Sequence, residues 1–462
     1  MSISEKARME LPGFSGTLMH PDHAGYDEAR KVYNGMIDRR PALIARCSNA
    51  DDVVLAVNLA RDRGLPISIY GGGHSVTGTA VCDDGICIDL RGMKGIDIDP
   101  VAQTCRAEAG LNWGEFDAAT HRHGLAMTGG RNPTTGISGL ALGSGSGWLE
   151  RKFGFVCDNL LKAELVTADG RKVVASADEN ADLFWGLRGG GGNFGVVTAF
   201  HFRLHALGPK ILAGVLIYPG QMAVSVLRNY REFMRTAPDE IGGAATLVTA
   251  PDAPFVPPPA RGKPVVVVQV VYAGPIEEGE KALAPLRAFG PPAADLVAPI
   301  TYPELQASGP SFPGFQNYWT ADFMTGLPDE AIEVLAAAGT RPVSPMSPII
   351  VVPGGGAVSR VSDDETAFGE RRAPFNIHYL SSWPNSADNA DNIARTKEIS
   401  QSMKPWTTGR VYLNYIGDEG QGRIESSFGP EKLARLRVLK AKWDPHNLFR
   451  HNQNIRPAAA AE

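Results

Sequence analysis

A histidine that follows three consecutive glycines is the most distinctive feature of this sequence. The segment PISIYGGGHSVTG, residues 66–78, runs from a strand-like stretch through Gly71, Gly72 and Gly73 to His74. Glycine lets a ligand approach the main chain closely, and exposed backbone N–H groups after a strand can bind phosphate groups. The segment is therefore a candidate phosphate-binding loop. That function does not explain the titratable ring at its end, and the simplest alternative is a histidine that only ends a strand.

Two further glycine clusters follow, TGISGLALGSGSGW (135–148) and RGGGGNFGVV (188–197). A Rossmann site needs G-x-G-x-x-G between a strand and a helix, with an acidic residue about 20 positions later, and none of the three clusters fits. Unrelated tight turns would explain any one cluster. Three clusters in one region, beside a histidine, favour a large ligand that carries a diphosphate.

Four segments carry a resemblance to a known family: YGGGHS, NPTTGISGLALGSGSGWLERKFGFVCDNL, ADLFWGLRGGGGNFGVVT and DPHNLFRHNQNI. Together they resemble the berberine bridge enzyme-like family of FAD-linked oxidases, in its bacterial 6-hydroxynicotine-oxidase-like branch. The resemblance covers about residues 35–205 and 408–456, and in the middle of the chain it rests mainly on FNIHYLSSW. It implies the vanillyl-alcohol oxidase fold, of α+β class. That fold has a PCMH-type FAD-binding domain of two α+β subdomains and a substrate domain with an antiparallel sheet flanked by helices.

The resemblance also implies a cofactor site. In this family the histidine after the glycines is bonded to the 8α-methyl group of FAD, a reaction for which a neutral imidazole is a suitable nucleophile. Bicovalent members carry a cysteine directly before the PTxG segment, where this chain has Asn132, so a single attachment through His74 is implied. Thr135 matches a position that lines the oxygen pocket. The implied cofactor-binding residues are His74, Gly71, Gly72, Gly73, Ser75, Asn132, Thr135, Gly136, Gly139, Gly143, Val197, Asn452 and Asn454.

Tyr415, in RVYLNYIGDEG, matches the position of a catalytic tyrosine in the family. An unperturbed phenol has a pKa of about 10, so it is a weak base at neutral pH unless its anion is stabilised. His378, in FNIHY, falls where relatives carry a polar residue that hydrogen-bonds this tyrosine, and we expect it to donate to the phenolate. Two alternatives stay open: His378 is the base and Tyr415 orients the substrate, or both residues are structural.

The implied activity is removal of a hydride from a C–H next to an alcohol or amine of a small organic substrate, with electrons passing to O2 to give H2O2. The cofactor carries the redox chemistry and the protein supplies orientation and a base. The alternatives are a flavin dehydrogenase with another acceptor, and a non-redox cyclase or ligand-binding protein on the same scaffold. The substrate is not readable from the sequence. Four aromatic residues of FQNYWTADF either line an apolar pocket or belong to the core: Phe315, Tyr318, Trp319 and Phe323.

The composition narrows the class of protein. The 462 residues are 43% hydrophobic and 21% charged, with a net charge of −5, which is typical of a soluble globular protein without a nucleic-acid surface. The start MSISEKARMELPGFSG has no apolar signal core, and no apolar run could cross a membrane, so we expect a cytoplasmic protein. The five cysteines, an odd number without zinc-site spacing, predict buried free thiols and no metal site.

The elements that must position these residues alternate between helix and strand from about residue 42 to residue 205. SNADDVVLAVNLARDRG predicts a helix with an Asn/Asp start and a glycine stop, and KAELVTADGRKVVAS predicts a hairpin that turns at Asp169-Gly170. RVYLNY predicts a strand that carries Tyr415. In the tail, an extended segment would place Asn452 and Asn454 on one face.

We expect an FAD-binding domain over 1–207, a substrate domain over 208–407, and a C-terminal segment, 408–462, that returns to the first domain. The proline-rich stretch 251–264 lies inside the substrate domain. It has no periodicity, and we interpret it as an ordered surface loop, not a domain linker.

Overall fold

A computed structural model describes residues 9–459. The strands in this range are β1 (Thr17–Met19), β2 (Leu43–Arg46), β3 (Ile67–Tyr70), β4 (Ile86–Asp89), β5 (Ile96–Asp99), β6 (Thr104–Glu108), β7 (Leu125–Ala126), β8 (Leu160–Val166), β9 (Lys172–Ser176), β10 (Val196–Arg203), β11 (His205–Ala206), β12 (Ile211–Pro219), β13 (Ile241–Thr249), β14 (Pro264–Tyr272), β15 (Ala294–Asp295), β16 (Ala298–Ile300), β17 (Gln316–Met324), β18 (Ile349–Pro353) and β19 (Phe375–Trp383). The helices are α1 (Tyr26–Ala29), α2 (Ala50–Arg63), α3 (Trp113–His121), α4 (Ile137–Leu142), α5 (Glu150–Phe153), α6 (Ala181–Leu187), α7 (Ala223–Thr236), α8 (Ile276–Arg287), α9 (Tyr302–Gln306), α10 (Asp329–Thr340), α11 (Ala357–Arg360), α12 (Asn389–Ser402), α13 (Gln421–Phe428) and α14 (Pro430–Trp443).

The first sheet has the order β1-β2-β4-β3 and positions the loop that carries His74. Strands β2 and β3 each pair parallel to β4, with α2 as the connection between β2 and β3. The Asn49 side chain accepts hydrogen bonds from the N–H groups of Asp51 and Asp52, which begins α2, and Gly64 ends it with φ 63°. Strand β3 then leads directly into the three glycines.

The second sheet, β5-β6-β10-β8-β9, is antiparallel throughout. The β8–β9 hairpin turns at Asp169-Gly170 as predicted. One hydrophobic core joins the first two sheets, α2, α3 and α6, and it also takes in Leu436 of α14 and Phe449 and Ile455 of the tail.

A fully buried lysine fixes the tail to this core. The Lys440 ammonium donates hydrogen bonds to the Asp444 carboxylate at 2.8 Å and to the carbonyls of Asn193 and Phe449, at 2.7 and 2.8 Å. Burial lowers the pKa of Lys440, while Asp444 acts in the opposite direction. The last helix and the glycine-rich segment before β10 are thereby held together.

The eight-stranded sheet, β15-β12-β14-β13-β18-β19-β17 with β16 beside β12, is antiparallel and lies in the middle of the chain. One of its faces packs against α7, α8 and α10. Together with the smaller sheets and their helices, this arrangement confirms the α+β class. No strand pairing joins this sheet to the others among the described residues, and on that basis we propose the domain division near residues 207 and 407.

The proline-rich stretch connects β13 to β14 within one hairpin, and Val256 in it is only 1% exposed. The prediction of an ordered loop is therefore confirmed. All five cysteines are free and buried, as predicted.

The prediction of a strand over RVYLNY is wrong. Its flanks run beside β17, where Thr408 donates to the Phe323 carbonyl and Gly417 to the Trp319 carbonyl, but Leu413–Tyr415 forms a 3-10 turn. A 3-10 turn places side chains three residues apart on one side, so Tyr412 and Tyr415 lie together. Tertiary hydrogen bonds, including that from the Ser146 N–H to the Tyr412 hydroxyl, outweigh the strand preference.

Within residues 9–459, no helix combines the length and the apolar character needed to span a bilayer. The first eight residues, on which the expectation of no export signal partly rests, lie outside the described range.

Candidate active site

A cavity of about 1310 Å³ lies between the glycine loops and the eight-stranded sheet. Clefts between domains are common ligand sites. The predicted site residues that line it are Gly71, Gly72, Gly73, His74, Ser75, Asn132, Thr135, Gly136, Gly139, Gly143, Val197, His378, Tyr415 and Asn452. The fold therefore brings both catalytic candidates and nearly all cofactor candidates to one cavity.

Asn454 does not line the cavity. The chain bends at residues 451–453, so the expected extended segment is not formed there and Gln453 lines the cavity beside Asn452. The cause is Asn193, whose amide donates to the Gln453 carbonyl and accepts from the Ile455 N–H. The carbonyl of Asn454 instead accepts a hydrogen bond from Gln421.

Two of the glycine loops touch through their backbones. A Cβ on Gly72 would overlap the Gly136 nitrogen, and a Cβ on Gly136 would overlap the Gly72 nitrogen. Gly139 and Gly192 differ from these, because a Cβ at either position would meet no atom within 4 Å and would extend into the cavity. The first pair holds the loops together, and the second pair leaves main chain open to a ligand.

The tail contributes an unsatisfied polar atom to the same cavity. The Asn452 amide donates to the Gly192 carbonyl at 2.8 Å, but its buried Oδ1 has no hydrogen-bond partner among the described residues. A buried acceptor without a partner is costly. The open glycines and this acceptor are the features expected around a large ligand that carries its own hydrogen-bond donors.

His74 is held by its neighbours on three sides. Its Nε2 lies 2.8 Å from Thr134 Oγ1 and its Nδ1 3.3 Å from Thr135 Oγ1, and its ring stacks on Tyr33 with centroids 4.5 Å apart. The Thr134 hydroxyl donates to Asn132 Oδ1, so it accepts from His74 Nε2 and leaves the lone pair on Nδ1. Burial lowers the pKa of His74 to about 4. The imidazole is therefore neutral and nucleophilic at neutral pH.

Tyr415 lies in a cluster of rings. Its centroid is 4.4 Å from that of His378, 5.3 Å from Tyr412 and 6.0 Å from Trp319. The expected hydrogen bond from His378 to Tyr415 is absent from the described side chains; the two rings pack together, tilted by 32°. Burial, and then the charge of Arg131, lower the pKa of His378 well below its usual value, and its buried Nε2 has no described partner.

Arg131 is a charged residue of the cavity lining that was not predicted from the sequence. Its guanidinium donates to Ser146 Oγ at 2.9 Å, lies 3.5 Å from the Glu150 carboxylate and covers the Trp148 ring. Burial opposes its charge, but Glu150, Tyr415 and Tyr412 together raise its pKa. A permanent positive charge thus lies beside the Tyr415 hydroxyl. An arginine inside the glycine-rich stretch TGGRNPTTG is the signal that could have identified it.

Only one of the four aromatic candidates lines the cavity. Trp319 does so, whereas Phe315 stacks on Phe312 and Phe323 packs against Phe368 and Tyr412. Tyr318 also lies outside the lining. In the part of the chain that the structure describes, no cluster of three or more His, Cys, Asp or Glu side chains could hold a metal ion.

Comparison with known proteins gives matches to two family models, and relatives that align with nearly the whole chain. Residues 41–176 match the FAD binding domain family, and residues 411–456 match the family described as berberine and berberine like. (R)-6-hydroxynicotine oxidase of Paenarthrobacter nicotinovorans is 32% identical over 459 residues, 96% of this chain and 97% of that protein.

Solved structures also superpose on nearly the whole chain. The crystal structure of 6-hydroxy-D-nicotine oxidase from Arthrobacter nicotinovorans superposes with a TM-score of 0.88 at 31% identity, covering 98% of this chain and all of that one. Chitooligosaccharide oxidase superposes with a TM-score of 0.82 at 25% identity, over 96% and 98% of the two chains. Proteins of this fold thus include one named for an amine and one named for a saccharide.

A leucine at Gly139 tests whether the open glycines face the cofactor. Gly139→Leu should leave the protein folded, since leucine is a better helix former than glycine and no atom obstructs it, but should lower FAD content at least tenfold. The matched control is Gly422→Leu in α13, also helical and unobstructed but outside the cavity. Flavin absorbance per protein and circular dichroism measure the two effects. Full flavin content in Gly139→Leu would contradict the assignment.

Proposed function

The chain belongs to the berberine bridge enzyme-like family of FAD-dependent oxidoreductases, and we propose that it is an oxidase of small organic molecules. In this proposal a hydride leaves a C–H next to an alcohol or amine, and O2 is reduced to H2O2. The supporting observation is the common location of His74, Tyr415 and Arg131 on one cavity. Bound FAD would accept the hydride and return two electrons to oxygen.

The residues of the cavity fit FAD. Main chain is open at Gly139 and Gly192, and the unpartnered Oδ1 of Asn452 can accept a hydrogen bond from the cofactor. We assign a single covalent attachment to Nδ1 of His74, because Nε2 carries the proton that it shares with Thr134. A second attachment is disfavoured, since no described residue of the cavity lining is a cysteine.

We assign the role of base to Tyr415. Tyr415 lines the cavity and neighbours Arg131, whose charge makes protonation of the buried His378 harder. That charge disfavours the histidine, which was the alternative base.

The activity is tested by mixing the purified protein with alcohols and cyclic amines. The proposal expects anaerobic bleaching of the flavin by a substrate and stoichiometric peroxide in air. Bleaching with turnover only when a dye is added would identify a dehydrogenase. A flavin that no substrate in a broad screen bleaches would support a non-redox protein.

Removal of the imidazole tests the covalent attachment. Acid-precipitated wild-type protein should be yellow and His74→Ala protein colourless, with Cys157→Ala, a buried thiol outside the cavity, as the yellow control. Because the pKa of His74 is about 4, its neutral fraction is complete above pH 6, and attachment to added FAD should proceed at one rate from pH 6 to 8. A histidine with the usual pKa of about 6.5 would react about fourfold more slowly at pH 6 than at pH 8. A yellow His74→Ala pellet would disprove the assignment.

The Tyr415→Phe variant should keep its covalent flavin. A substrate should reduce that flavin roughly a hundredfold more slowly than in the wild type, as expected for loss of a general base. Rapid mixing with a turned-over substrate measures the rate. Tyr318→Phe, on β17 but outside the cavity lining, is the control and should behave as wild type. Wild-type flavin reduction in Tyr415→Phe would exclude the tyrosine as base.

A further inference from the structure

The face of the eight-stranded sheet that lines the cavity carries many aliphatic residues, as does the face that packs against helices. Along β14, alternate residues divide between the two: Val266, Val268 and Val270 lie in the core against α7, α8 and α10, whereas Val265, Val267 and Gln269 line the cavity. Successive strand residues point to opposite faces, so this division follows from the period of two. The run PVVVVQVVYAG therefore reflects a strand with apolar residues on both faces, one of which packs in the core while the other lines the cavity.

The neighbouring strands extend this wall. Ile217 of β12, Val248 of β13, Ile350 of β18 and Leu380 of β19 also line the cavity. We call the space in front of them the sheet compartment. Its far end is closed by the proline-rich loop, where Val256 packs against Ile217 and Val265.

The strand register gives the length of the sheet compartment. Ile217 pairs with Val267, Val267 with Thr246, Thr246 with Ile350, and Ile350 with His378. These residues form one row across five strands, and strands lie about 4.8 Å apart, so the row spans about 19 Å. His378, packed against Tyr415, marks the reactive end of the row.

The sheet compartment carries no charge. Among the described residues that line the whole cavity, the side chains with a fixed charge are Arg131 and Asp252. Arg131 lies at the reactive end with its charge opposed by Glu150, and Asp252 is exposed beside Arg261. Apart from His378 at the reactive end, the polar side chains that the sheet strands contribute to the lining are neutral: Thr246, Thr249, Gln269 and Ser382.

We propose that the sheet compartment binds an elongated, uncharged and predominantly aliphatic or aryl-aliphatic substrate, with its reactive carbon beside Tyr415 and its apolar body along the row to Ile217. This substrate class rests on the proposed oxidase function. A charged group in the compartment would lose its hydration without gaining a partner. A saccharide has hydroxyls on every side, and the few neutral polar side chains of the sheet would leave most of them unpaired.

The test measures binding of probe alcohols to the holoenzyme and needs no turnover. Calorimetric titration with 1-alkanols from butanol to dodecanol should show affinity rising about three- to fourfold with each methylene, until the chain fills the compartment. 10-Hydroxydecanoate and 10-amino-1-decanol, whose ionised ends would lie inside the compartment, should bind at least tenfold more weakly than 1-decanol, and cellobiose should not bind measurably. Equal affinity for 1-decanol and either ion, or tighter binding of cellobiose, would overturn the proposal.

Variants locate the binding. Val267→Phe, which adds a ring inside the compartment, should raise the Kd of 1-decanol tenfold or more while changing that of 1-butanol less than twofold. Ile350→Phe narrows the compartment at a second point, nearer His378, and should weaken the binding of the shorter alcohols as well. Val101→Phe, at a position 93% exposed, is the matched control and should change neither. Unchanged 1-decanol affinity in both narrowed variants with normal flavin content would refute the location.

The binding test separates the two proposals. If 1-decanol binds as expected but no substrate bleaches the flavin, the compartment assignment stands and the oxidase function fails. If the enzyme oxidises a saccharide or an ionised amine and Val267→Phe leaves that turnover unchanged, the oxidase function stands and the substrate class is wrong.

Discussion

The backbone contact between Gly72 and Gly136 is the constraint on which the site depends. Neither residue can carry a Cβ, because each would occupy the position of the other's nitrogen. The contact joins the loop after β3 to the segment before α4, so His74 meets Thr134 and Thr135 from the second loop. The tautomer and the orientation of His74 are therefore set by threonines of a different loop. The open Gly139 lies three residues after this contact.

Local patterns in the sequence were sufficient for several of the elements, and the family resemblance supplied the predicted site residues that line the cavity. The helix after Asn49 and the hairpin at Asp169-Gly170 depend on neighbouring residues, and both were predictable. The turn that carries Tyr415 was not, because hydrogen bonds to distant residues decide it. The prediction for the tail was wrong for the same reason. Asn193, about 260 residues earlier, hydrogen-bonds the tail and bends it, so that Gln453 and not Asn454 reaches the cavity.

Charge is the second property that only the three-dimensional arrangement gives. Arg131 neighbours Tyr415 although 284 positions separate them in the numbering, and burial together with the Arg131 charge lowers the pKa of His378, one of the two candidate bases that the sequence left open. The side chains that the sheet strands contribute to the cavity lining have no fixed charge. In the proposed function, selectivity along the sheet therefore rests on shape and hydrophobicity.

The buried Lys440 has a consequence for how the protein is made. It ties the last helix to Asn193, and Phe449 and Ile455 complete a core most of whose members precede residue 205. A ribosome adds about 5 to 20 residues per second, so the roughly 250 residues between these parts take about 10 to 50 s to synthesise. During that interval the nascent N-terminal half is an unfinished core. A chain that stops before residue 449 therefore has the glycine loops but lacks the lining residues Phe449, His451, Asn452 and Gln453, which close one side of the cavity.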